Sequence, residues 1–190
     1  MMKMKLVNIG LLVALGMNVT AANAASTGTI TFNGMITGTT CDVSVDGGAA
    51  DATVTLPTVS DTTLATANAT TGKTNFVMSL TNCNIADSGE NQVAAFFQAG
   101  ATVDNTTGRL KQMATGPTAA TNVSLQLSDG FTNDPIFVGN SSQITTNHFE
   151  AMSGDPAEEI RLAYMVEYFA EDAVTPGLVN SQVVYNLQYK

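Results

Sequence analysis

Val183-Val184-Tyr185-Asn186-Leu187-Gln188-Tyr189-Lys190 is the stretch whose pattern decides the fold. Successive strand side chains face opposite sides, so Val183, Tyr185, Leu187 and Tyr189 share one surface of two aromatics and two aliphatics. Chain ends are ordinarily frayed and polar. A terminal strand this apolar is expected either to dock in its own core or to form an edge offered to another chain.

The same period of two recurs upstream. Ile30, Phe32, Gly34 and Ile36 alternate with Thr31, Asn33 and Met35, and Val54 alternates with Leu56. Phe76, Met78 and Leu80 precede Cys83; Val123, Leu125 and Leu127 form one face; Ile160, Leu162, Tyr164, Val166 and Tyr168 form a longer one. Turn-forming clusters such as Asp46-Gly47-Gly48 and Ser128-Asp129-Gly130 separate these runs. Short alternating strands with frequent turns predict an all-β sandwich. Residues 61–71, rich in Thr and Ala, fit either a loop or a short helical turn.

Residues 1–24 read as a secretory signal. Lys3 and Lys5 start it, 6–17 form its apolar run, and Ala22-Asn23-Ala24 offers a cleavage site. An apolar run this short falls below the roughly 20 residues a membrane span needs. The mature chain, 25–190, is expected to be one domain. It carries five basic against sixteen acidic residues, a formal charge of −11. Such a surface repels nucleic acid and anionic membranes, so neither is expected as a partner. Cys41 and Cys83 are the two cysteines, and export to an oxidising compartment predicts that they pair.

The motifs that could carry chemistry are weak. Gly72-Lys73-Thr74 resembles the end of a phosphate-binding loop, but Ala67 stands where its first glycine belongs. His148, the only histidine, has no catalytic partner recognisable from spacing and is expected in a surface loop. Glu158-Glu159 and Glu171-Asp172 are adjacent acids, which on a strand point to opposite faces and cannot work as a glycosidase pair. No enzyme, metal, cofactor or small-molecule substrate is expected.

Taken in order, the landmarks resemble the subunits of chaperone–usher fimbriae, the type 1 and P pilus pilins. Residues 25–36, with Gly28, Ile30, Phe32, Gly34 and Ile36 in phase, look like that family's donor-strand extension, and Cys41 follows at its usual distance. Phe76-Val77-Met78-Ser79-Leu80-Thr81-Asn82-Cys83 looks like the strand leading to the second cysteine. Gly177, Val183, Tyr185, Leu187 and Tyr189 look like the motif that a chaperone recognises and that lines the acceptor groove. The region 104–156 matches mainly through Val123, Leu125 and Leu127. Alternation alone describes 30–36 equally well as an ordinary first strand; the flanking landmarks turn the reading to a donor.

The resemblance implies an incomplete immunoglobulin-like sandwich, open along its last strand and completed by a donor strand from another chain. It also implies the partners: identical or related pilins, a periplasmic chaperone and an outer-membrane usher. The expected role is the major rod subunit of a surface fimbria. A minor adaptor or terminator pilin, or a small secreted adhesin, is the alternative.

Overall fold

The computed structural model describes residues 29–86 and 89–190, so the expected signal and Gly28 lie outside the described residues. The chain divides into two units, Met1–Met35 and Ile36–Lys190. In the first, residues 29–35 have no strand assignment, and Ile30, Phe32 and Met35 are largely exposed.

The second unit holds two sheets. One is ordered β1 (Thr40–Val45), β2 (Thr70–Asn84), β7 (Ile160–Thr175), β5 (Thr121–Asp129) and β4 (Leu110–Lys111). The other is ordered β6 (Glu150–Ala151), β3 (Gln92–Phe97) and β8 (Tyr185–Tyr189). Every strand pair in both is antiparallel. The long centre of the first sheet is fixed by the β2–β7 register, where Phe76 faces Tyr164 and Met78 faces Leu162.

Alternation places the core as expected on β2 and β7. Phe76, Met78, Leu80, Ile160, Leu162, Tyr164 and Val166 are buried and meet Val93, Ala95 and Phe97 of the opposite sheet. The Tyr164 ring sits edge-on to Phe97, with centroids 5.0 Å apart. On β5 the simple pattern fails, because Ser124, Gln126 and Ser128 are buried along with Val123, Leu125 and Leu127. Their polarity is answered locally: Ser124 Oγ donates to Glu171 at 2.6 Å, and Gln126 Nε2 to the Ile136 carbonyl at 3.2 Å.

Other expectations shift in detail. Residues 61–71 open with a 3₁₀ turn, Asp61–Leu64, capped by the Ser60 hydroxyl on the Thr62 N–H. Val54 and Leu56 alternate in burial yet belong to no strand. Val183 precedes β8 and is not part of it. Gly72-Lys73-Thr74 lies inside β2, at the register shift opposite β7, so no helix follows it to hold a phosphate.

Cys41 and Cys83 are bridged, tying β1 to the end of β2 where the register slips between Thr40 and Asp42. The bridge closes 42 residues of sequence. Constraining a loop of that size stabilises a fold by about 4 kcal/mol in the chain-entropy picture. Replacing both cysteines by serine is expected to cost about 2–5 kcal/mol, read as a lowered urea midpoint against the oxidised chain.

Candidate functional site: an open sheet edge over an unfinished core

Among the described residues, β8 pairs on one side only. Gln92 and Lys190 exchange N–H···O bonds at 3.0 Å in both directions, and Gln98 N–H donates to the Val184 carbonyl at 2.8 Å. In an antiparallel ladder such bonded pairs recur at every second residue, so the even positions of β8 face β3. The N–H and C=O groups of Tyr185, Leu187 and Tyr189 therefore point away from it. β8 has no second strand neighbour among the described residues. On that outer side the Leu187 carbonyl accepts only from the neighbouring Asn186 side chain, at 3.2 Å.

The side chains of these same residues point inward. Val183, Tyr185, Leu187 and Tyr189 pack on the core but remain half-buried, as do Cys41, Val43, Val54 and Leu56. A core lined with half-buried apolar groups beside unpaired backbone is the signature of a missing strand. The opposite rim of this cleft is β1 and residues 51–59, which belong to no strand or helix. Among the described residues, 51–59 make no backbone–backbone hydrogen bond. This rim was not identified as a site from sequence; its signal was the Val54–Leu56 alternation without a strand partner.

Tyrosine hydroxyls hold the two rims in place. Tyr185 Oη donates to the Ala50 carbonyl at 2.9 Å, and Tyr168 Oη to the Pro57 carbonyl at 3.3 Å. Tyr189 shares a hydrogen bond with the Cys41 backbone. Burial pushes the Tyr189 hydroxyl above its ordinary pKa, opposed by that bond; burial does the same at Tyr185, helped by the Asp51 carboxylate. Tyr164 and Tyr168 are also raised by burial, so all four tyrosines are shifted the same way.

Gly177 lies before β8 with ordinary backbone angles, and its role is contact. A Cβ there would run into the Ala119–Ala120 backbone. The close approach is held by Leu178 N–H to the Thr118 carbonyl at 2.8 Å and Ala120 N–H to the Leu178 carbonyl at 3.0 Å. Only glycine permits two backbones to lie this near.

The proposed donor residues present the converse picture. Ile30 is 77% exposed, Phe32 88% and Ile36 99%. A Cβ on Gly34 would meet nothing within 4 Å. No neighbour among the described residues requires glycine at that position. His148 stacks on Phe131 with ring centroids 4.4 Å apart and approaches Glu150 at 3.4 Å. It lies in a loop, as expected, and Glu158, Glu159, Glu171 and Asp172 are exposed.

A family model described as FimA: Type-1 fimbrial protein, A, matches residues 56–190. The Major fimbrial subunit SMF-1 of Stenotrophomonas maltophilia is 45% identical over 172 residues, covering 89% of this chain and 95% of the relative. The F17 fimbrial protein of Escherichia coli is 33% identical over 171 residues, covering 90% and 91%. The crystal structure of the P pilus rod subunit PapA matches with a TM-score of 0.59 at 18% identity, covering 79% of this chain and 99% of that one. This last likeness speaks to the fold.

Two tests follow from the geometry. Gly177→Ala is expected to destabilise the fold by about 1–3 kcal/mol through overpacking, measured by urea unfolding. The second concerns pH. A hydroxyl whose folded pKa is raised favours the neutral fold, so its contribution is complete below the unfolded tyrosine value of about 10. Stability should fall as pH climbs above that value. Ultraviolet titration of the native chain should show all four tyrosinates forming later than in the unfolded chain.

Proposed function

The chain belongs to the type-1 fimbrial protein family, so it is a structural subunit of a surface fimbria, and we propose that it is the repeating rod subunit. Neighbours would join by donor-strand exchange: residues 25–36 of one copy lie along β8 of the next and complete its sandwich. The mature chain, 25–190, acts as one pilin domain, and its part is structural, not catalytic. The observation that carries this reading is the unpaired outer edge of β8 above a half-buried apolar floor.

Strand addition fits both halves of the problem. The N–H groups of Tyr185, Leu187 and Tyr189 gain carbonyl partners, while Ile30, Phe32 and Ile36 leave water for the cleft. Burying each of those side chains contributes about 1.5–3 kcal/mol, so three of them with a ladder of main-chain bonds make a firm joint. The unpaired residues 51–59 supply a second rim for the incoming strand. We assign Gly34 to close approach in the partner, since a Cβ there meets nothing within 4 Å among the described residues of its own chain.

Before joining, the same edge is an aggregation hazard. A periplasmic chaperone that lends a strand to β8 would shield it, and an outer-membrane usher would exchange that strand for the next subunit's residues 25–36. Gly177, Val183, Tyr185, Leu187 and Tyr189 are the residues we assign to that recognition.

Phe32→Asp places a charge on the donor and leaves the acceptor cleft untouched. It is expected to abolish fibres sheared from the cell surface while the chaperone-bound monomer still accumulates; full-length fibres from this variant would contradict the reading. Tyr189→Ser damages the acceptor instead. It should lower the periplasmic level of the subunit, and normal accumulation would speak against recognition through β8.

A further inference from the structure

β3 has a second edge, and it is closed in an unusual way. The even residues of β3 bond to β8, so Val93, Ala95 and Phe97 turn their backbone groups to the other side. There β6 pairs only with Gln92 and Val93. Beyond it no strand continues among the described residues, yet the backbone groups of Ala95 and Phe97 are all bonded. Ala95 N–H donates to Tyr164 Oη at 2.8 Å, and the Ala95 carbonyl accepts from Asn147 Nδ2 at 3.3 Å. Phe97 N–H donates to Gln143 Oε1 at 3.0 Å, and the Phe97 carbonyl accepts from Gln143 Nε2 at 3.0 Å and from Gly139 N–H at 2.9 Å.

A primary amide offers the same donor and acceptor as a peptide group, so Gln143 bonds to Phe97 in both directions as a residue on a neighbouring strand would. Its side chain is 1% exposed. Burying an amide is unfavourable unless its bonds are made, and here they are made to a strand edge. The short helix α1 (Gln143–Thr146) holds it in place, with a further bond from Nε2 to the Asn140 carbonyl at 3.2 Å.

We infer that Gln143, supported by Asn147 and Tyr164, is a strand substitute that blocks the second edge of this sheet and so confines strand addition within it to β8. It is a specificity-determining residue for subunit joining. The inference rests on the reading of β8 as the acceptor edge. A sheet open at both edges would take donors in two places and yield misjoined chains. The floor of the cleft would be the same, but the polymer would not be linear.

The test uses the mature chain with a synthetic peptide of residues 25–36 in excess, read by amide hydrogen exchange and light scattering. In the wild type the Phe97 amide should exchange within about tenfold of Ala94 and Phe96, although no strand lies on the side to which its N–H points. Gln143→Leu keeps volume and loses both bonds. It should speed exchange at Phe97 by about a hundredfold or more and produce dimers while the peptide still protects β8. Fast Phe97 exchange in the wild type overturns the inference, and that arm stands even if the variant fails to fold. So does a Gln143→Leu chain that stays monomeric with Phe97 protected. Absence of peptide protection at β8 strikes the acceptor reading instead, since Phe97 is read with or without peptide.

Discussion

A β-strand satisfies its backbone on two sides, and β8 is satisfied on one. Tyr185, Leu187 and Tyr189 aim side chains at the core and their N–H groups at a flank that no strand covers among the described residues, so the ladder and the core are left open at the same place. Two separate deficits at one place call for one remedy, an added strand with apolar residues in phase. An apolar ligand alone would fill the floor and leave the N–H groups bare. A polar peptide would pair the backbone and leave the floor wet. The alternating residues Ile30, Phe32 and Ile36 combine both requirements in one segment.

The rest of the unit can be understood as keeping that vacancy open and singular. The Cys41–Cys83 bridge fastens β1, one rim, to the centre of the larger sheet through β2. Tyr185 and Tyr189 reach from β8 to Ala50 and Cys41, so the rims are linked beneath the vacancy and keep their spacing without a strand between them. At Gly177 the chain is pinned against Ala119 and Ala120 before it turns into β8. On the far side of β3, side-chain amides close the other edge. A preorganised cleft of this kind binds its partner with less ordering cost than a flexible one.

Much of this was legible in the residues, and what was not has physical reasons. Phe76, Met78 and Leu80, like Ile160, Leu162, Tyr164 and Val166, belong to strands with one face in the core, where period two is a direct readout. Gln92–Phe97 went unrecognised as a strand because Ala94 and Ala95 are both buried and no alternation is left to see. On β5, Ser124, Gln126 and Ser128 have the composition of a wet face but are buried, with Ser124 bonded to Glu171 of the neighbouring strand and Gln126 to the Ile136 carbonyl, which only the tertiary structure reveals. Gln143 is the extreme case. A glutamine in a polar loop carries no mark that it stands in for a strand. The apolar face of β8 was readable, since Tyr185, Leu187 and Tyr189 are in phase; the second rim was hidden because 51–59 belongs to no strand and makes no backbone–backbone hydrogen bond among the described residues.

The central claim is that β8 lacks a neighbour which another copy's residues 25–36 supply. Amide hydrogen exchange on two covalently trapped copies, with a cysteine in the donor segment of one and a cysteine beside β8 of the other, tests it most directly. The account predicts that Tyr185, Leu187 and Tyr189 amides pass from fast exchange in the single chain to protection in the acceptor copy, with the donor copy's own β8 unchanged. Equal exchange at these three amides in the single and joined chains would contradict it.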